Sequence, residues 1–422
     1  MQSILALLLI LLVLFADVYF IFPWLSASNL FLLSTTFLVL TNIRRITFFD
    51  YAPNENKYLK RLLIIFYLFL AYMSLNDFLH GIWMEKAPSM FILSLFPFVL
   101  IAFRTTTDKS RLLFLYLKLF IIYNFFFSLL QFAGVHITVG SLLSFTPLIG
   151  VEQLFIGATD EGLRITGAYG NTLNVAAIAG YATIIFYFTI KDKLLRWQKK
   201  SFRYFLLAIA MVLTTQTRAA VLGTVIAIIF VELFTASYNT RKIKFVVVLS
   251  GIALAIFYFG VPYYFEDTRL LKFDDTSFLS RIQINYFAIL GTIKTAPFLG
   301  IPYLVNSAQE EAISRVIQTG IMLSNVDFGP IIFDFVTFHC EPAFYLRSYG
   351  LIGFVFYLLF YFSLFNYIKN SDKHTLYKKA LFCIVIAFFL FNLTHNGKII
   401  QSLVIWILLS LDFKNNIIAE KS

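Results

Sequence analysis

Three arginines and one histidine carry the chemistry that this sequence could perform. Arg164, Arg218 and Arg281 stand in or beside polar interruptions of an otherwise apolar chain. His339 lies near the end of the longest interruption, Tyr264 to Arg347. A guanidinium presents a planar fork of N–H donors, which suits phosphate oxygens through two parallel charge-assisted hydrogen bonds. An imidazole, with an unperturbed pKa near 6.5, can take a proton from a hydroxyl nucleophile at physiological pH. Glu341, two residues on, could orient that ring or share its proton. A plainer reading is also open. The arginines would then snorkel or pair with Asp160, Glu161, Asp274 or Asp275, and the histidine would be structural.

The elements that must position these groups are membrane helices. The chain has 422 residues, 59% hydrophobic and only 14% charged, where a soluble domain carries about 25% charged residues. Repeated apolar runs of ~17–21 residues are long enough to cross ~30 Å of hydrocarbon. They do not alternate, so a transmembrane β-barrel does not fit. The expected fold is an all-α polytopic membrane protein with helices near Ser3–Phe22, Leu25–Thr41, Leu62–His80, Ala87–Phe103 and Leu112–Phe132. The series continues with Val175–Ile190, Phe205–Thr215, Ala219–Phe234, Phe245–Val261, Leu351–Tyr367, Ala380–Leu393 and Ile399–Phe413.

Charge placement supports twelve spans with both termini cytoplasmic. Basic clusters such as Arg44-Arg45, Lys199-Lys200 and Lys378-Lys379 fall in every second connection. The short outer connections hold at most one basic residue each, among them Lys86, Arg164, Arg218 and Lys398. A wrong span count would scramble this alternation. The chain then forms a single integral membrane domain, 1–422, with large periplasmic loops at about 133–174 and 264–347. The net charge of +11 is spread over membrane anchors, so no nucleic-acid partner is expected. No CxxC or HExxH pattern suggests a metal site. The first apolar run lacks a basic leader and reads as a retained helix. Asp17, Asp77, His80, His136, His395 and Asn396 are weaker signals. Arg218, directly before an apolar run, must pair, snorkel or bind a ligand, because leaving it dry costs several kcal/mol.

The spacing of His339, Gly350 and Gly353 resembles the signature segment of the O-antigen ligase and polymerase superfamily of bacterial inner membranes. Arg164-Ile-Thr-Gly-Ala-Tyr-Gly-Asn-Thr-Leu-Asn-Val is similar to that family's arginine-glycine-asparagine stretch, Thr215-Gln-Thr-Arg218 to its turn between two helices. Ser277-Phe-Leu-Ser-Arg281 and Pro297-Phe-Leu-Gly300 resemble the start of its large periplasmic loop. Cys340 and Thr172 depart from the pattern, at positions where the family prefers a polar or basic residue and a proline. Length and aromatic content look most like a Wzy-type repeat-unit polymerase, with a GT-C-like architecture.

The resemblance implies glycosyl transfer at the periplasmic face, with undecaprenyl-pyrophosphate-linked glycans as donor and acceptor and no cofactor. Arg164, Arg218 and Arg281 would hold the pyrophosphate, and His339 would act as general base. Glu341, Asn171 and Asn174 would support them. The implied reaction is inverting and metal-independent, and a chain-length regulator is an expected partner beside the lipid bilayer. Rival readings are an O-antigen ligase acting on lipid A core, a lipid-linked oligosaccharide flippase and a structural membrane subunit. Charge gathered in loops rather than along helix interiors favours an enzyme over the flippase.

Overall fold

A computed structural model describes residues 2–15, 26–42, 53–133 without 105 and 107, 158–159, 162–163, 167–169, 172–191, 198–235 without 216, 276–301 and 340–413 without 394 and 396, with a few single positions between them. The described residues are predominantly helical. Helices run α1 Gln2–Phe15, α2 Ala27–Thr41, α3 Pro53–Leu79, α4 Trp83–Ser94, α5 Phe96–Arg104 and α6 Lys109–Phe132. They continue as α7 Thr172–Lys191, α8 Gln198–Thr214, α9 Arg218–Thr235, α10 Thr276–Thr295, α11 Glu341–Asn370, α12 Thr375–Phe391 and α13 Leu403–Ser410. A short antiparallel hairpin pairs β1, Ala158–Thr159, with β2, Gly162–Leu163, just before Arg164. Among these residues five helical stretches are long and apolar enough to cross a membrane. The expected helix Phe245–Val261 lies outside the described residues.

Local chemistry sets the helix ends. The Ser26 side chain accepts from Asn29 N–H at α2, and Asp108 accepts from Arg111 N–H at α6. Each satisfies a donor that a helix start leaves open. Three expectations shift. The run Ala87–Phe103 is broken at Leu95, because Pro97 has no N–H to continue the helical ladder. The last run is a 3₁₀ turn, Ile399–Gln401, followed by α13, because the Ile399 N–H is held by the Glu341 carboxylate. Within the expected outer segment 264–347, α10 is helical. α11 begins at Glu341, ten residues before the expected Leu351. Pro342 in its first turn has a φ already suited to a helix start.

Close packing uses small residues. A Cβ on Gly180 of α7 would meet Thr224 Oγ1 of α9 at 2.6 Å, and one on Gly223 of α9 would meet the Ala387 carbonyl of α12 at 3.2 Å. Backbones approach where side chains are absent, which drives helix association in lipid. The core is continuous and aromatic. Trp406 of α13 meets Phe66 and Phe360 edge-on or tilted, and Tyr345 stacks on Tyr357 at 4.9 Å. Phe37, Phe78, Phe132, Phe234 and Phe362 are exposed, as side chains turned toward lipid would be.

Candidate functional site

The connections at one end of the bundle converge. Glu341 N–H, at the start of α11, donates to the Asn392 carbonyl just beyond α12 at 2.8 Å. Gly223, five residues into α9, lies against Ala387 and Phe391 near the end of α12. Arg218, which opens α9, therefore belongs to this end. Thr215 closes α8 by donating its hydroxyl to the Val212 carbonyl at 2.8 Å, and the Thr217 carbonyl receives Ala220 N–H at 3.0 Å. Arg218 is half-buried in the first turn of its helix, where a cation opposes the helix dipole. Its placement suits an anion better than it suits the helix.

The stretch after Arg164 is seated by α6. Gln131 brackets Gly167, accepting from its N–H at 3.0 Å and donating to its carbonyl at 2.8 Å. Asn124 Oδ1 accepts from Ala168 N–H at 3.0 Å. Gly167 has φ +63°, and a Cβ there would stand 2.7 Å from Asn124 Oδ1, so glycine is required. The following residues Tyr169 and Asn174 line a cavity of about 330 Å³, shared with Tyr181, Asn392, Lys398 and Gln401. Leu12, Phe120, Ile178 and Phe388 supply apolar wall. The fully buried Tyr181 hydroxyl meets no hydrogen-bond partner among the described residues.

A backbone clasp fastens α10 to α11. Gly350 breaks α11 with φ +63° and ψ −166°, a region open essentially to glycine alone. The Pro297–Gly300 turn docks into that break. Leu351 N–H donates to the Pro297 carbonyl at 2.8 Å, and Ile301 N–H to the Arg347 carbonyl at 2.7 Å. A Cβ on Gly300 would overlap the Arg347 carbonyl, and one on Gly350 would overlap the Phe298 carbonyl. Two side chains of α3 lock the joint: Tyr72 donates to the Tyr349 carbonyl at 2.7 Å, and Asn76 to the Leu299 carbonyl at 3.0 Å. Gly350 thus admits a turn rather than the neighbouring helix that its spacing with Gly353 suggests. Gly353 does face a helix, with Tyr72 Cε1 3.3 Å from a built Cβ.

Glu341, Asn174 and Arg218 are gathered at this end of the bundle. Arg281 lies in α10, fourteen residues before Thr295, which is about 21 Å of helix away from the clasp. Arg164, Asn171 and His339 lie outside the described residues. Glu341 is buried and already engaged. Its carboxylate accepts from Ile399 N–H at 2.6 Å and from the Tyr361 hydroxyl at 2.9 Å. It ties the start of α11 to the 3₁₀ turn before the last helix.

Sequence reasoning missed a second group of cations. Lys398 Nζ lies 3.7 Å from the centroid of the Phe344 ring, and the fully buried Arg347 guanidinium stands over the same ring at 5.9 Å. Lys86 and Asp77 act on Lys398 through space, as does Glu341. Burial, then the like charges of Lys86 and Arg347, push the Lys398 ammonium down to about 7. The available signal was the presence of Lys86 and Lys398 in connections that carry little other positive charge.

These features define a helical, membrane-type chain in which Lys86, Arg347 and Lys398 converge at one end of the bundle, the end at which α9 opens with Arg218. A family model described as O-antigen ligase matches residues 204–326, in agreement with the O-antigen polymerase and ligase superfamily. Arg218, Arg281 and the Pro297–Gly300 turn fall inside the match, while Arg164 and His339 fall outside it. No curated protein is matched.

Proposed function

We propose that this protein polymerises undecaprenyl-pyrophosphate-linked oligosaccharide repeat units at the periplasmic face of the inner membrane. The observation that carries the reading is the family match over 204–326, which holds both Arg218 and Arg281. The clasp supports it by fastening the helix of Arg281 to the helix that follows His339. In this reading Arg164, Arg218 and Arg281 neutralise the diphosphate as it leaves. His339 takes the proton of the acceptor hydroxyl, which attacks the anomeric carbon with inversion while the glycosidic oxygen departs on the lipid diphosphate. Asn171 and Asn174 support the arginines, and no metal takes part. The same reading includes a single membrane domain of twelve crossings, with outer segments at about 133–174 and 264–347.

The test is to supply purified protein with one lipid-linked repeat unit, without nucleotide sugar or added metal. A ladder of polymer is expected. Unchanged starting material would overturn the proposal. His339→Ala should lose at least ~100-fold, since general-base catalysis contributes ~10²–10⁴. Residual activity above about a tenth would remove the histidine as base.

The matching family's character as O-antigen ligase favours a second reading, transfer of finished polymer to lipid A core. A deletion strain separates the two. Lipopolysaccharide capped by one repeat unit indicates the polymerase, and polymer stranded on its lipid carrier indicates the ligase.

A further inference from the structure

A polymerase that joins two lipid-linked glycans handles two diphosphates, and the arginines above account for one. We propose that Lys86, Arg347 and Lys398 form a second anion site, which takes the diphosphate of the second lipid-linked glycan. The inference rests on the proposed function and deepens it.

Three elements far apart in sequence bring these cations together: α4 carries Lys86, α11 carries Arg347, and the segment before the 3₁₀ turn carries Lys398. Arg347 and Lys398 share the Phe344 ring. Neither lysine is ion-paired within the described residues. The acids nearby do not neutralise them by contact. Glu341 spends its oxygens on Ile399 and Tyr361. Asp77 is fully buried, and neither of its carboxylate oxygens meets a hydrogen-bond donor among the described residues. Two lysines drawn together and partly withdrawn from water are costly without an anion. An unengaged carboxylate beside them is an acceptor for a hydroxyl, so the pair of features fits a sugar diphosphate better than a bare phosphate.

The cavity adds the lipid. Lys398 belongs both to the cation cluster and to the wall of the 330 Å³ space, whose other lining includes Leu12, Phe120 and Ile178. A polar head held at Lys398 would have apolar wall beside it for the first prenyl units. The groups that face Lys398 are Lys86 on α4, Asp77 on α3, and Arg347 and Glu341 on α11, with His80 beside Asp77. Because burial and the like charges of Lys86 and Arg347 hold the Lys398 ammonium down to about 7, affinity should fall as pH rises through neutrality. A bound anion draws the proton back.

The full-length protein in phosphatidylcholine nanodiscs is titrated with undecaprenyl diphosphate. Wild type should bind two per chain, Lys398→Gln one, and Arg218→Gln one. Lys398→Arg should keep both and lose the pH dependence. Lys86→Gln weakens the second site by about tenfold, and serves if the buried Arg347→Gln fails to fold. A wild-type stoichiometry of one, or two retained in Lys398→Gln, overturns the inference. Equal competition by phosphatidylglycerol assigns the site to bulk lipid and also overturns it. Absence of a polymer ladder sinks the proposed function instead, because the stoichiometry is read without turnover.

Discussion

The two ends of the helical bundle treat their charges differently. At the end holding Lys191 and Asp412, charged groups meet complementary partners. Lys191 Nζ pairs with Glu232 Oε1 at 2.5 Å. Asp412 accepts from His374 N–H at 3.0 Å, and Lys373 donates to the Leu411 carbonyl at 2.6 Å. At the opposite end Lys86, Lys398 and Asp77 are drawn together without ion-pair contact among the described residues. The first arrangement stabilises a bundle. The second leaves electrostatic attraction unspent, as a binding site requires.

The contrast can be broken from the strongest effect down. Gly350→Ala should be the most severe change, because a side chain there overlaps the Phe298 carbonyl and strains a backbone region closed to alanine. Loss of folded protein in detergent, read by thermal scanning and gel filtration, is expected. A folded, active variant would dismiss the clasp. Next comes Arg218→Gln, expected to lower polymer yield by ~10²–10³, the usual loss when one charge-stabilising donor is removed. An unchanged melting temperature should separate it from the glycine variant. Tyr72→Phe removes one hydrogen bond to the Tyr349 carbonyl and should cost about 1 kcal/mol, measured by denaturant unfolding. Lys191→Gln, at the paired end, should cost ~0–1 kcal/mol with activity intact, because its ion pair is partly exposed to solvent. A larger loss there than at Arg218 would reverse the assignment of roles to the two ends.

Much of the fold was legible because apolar runs and capping residues are local signals. The expected Leu25–Thr41 and Leu112–Phe132 differ from α2 and α6 only at their starts, where Ser26 and Asp108 cap. The Leu95 break, the Glu341 start and the broken last helix were missed for a shared reason. Each depends on one proline or on a hydrogen bond between distant segments, which apolar periodicity averages away. The site divides in the same way. Arg218 is where a polar turn before an apolar run says it should be. Glu341 was read through its neighbour in sequence, and its contacts to Ile399 and Tyr361 lie too far along the chain for any spacing to announce them. Lys86, Arg347 and Lys398 have no spacing in common, so only tertiary packing could unite them.

The double attachment of Glu341 has a mechanical corollary. Its amide hangs on Asn392 and its carboxylate on Ile399, so the six residues separating those posts act as a gauge block for the start of α11. Adding or deleting one residue between Asn392 and Ile399 should shift the start of α11 while leaving Arg218 on α9 in place. A chain so altered should keep the diphosphate held at Arg218, lose the one held at Lys398, and present the attacking hydroxyl off line.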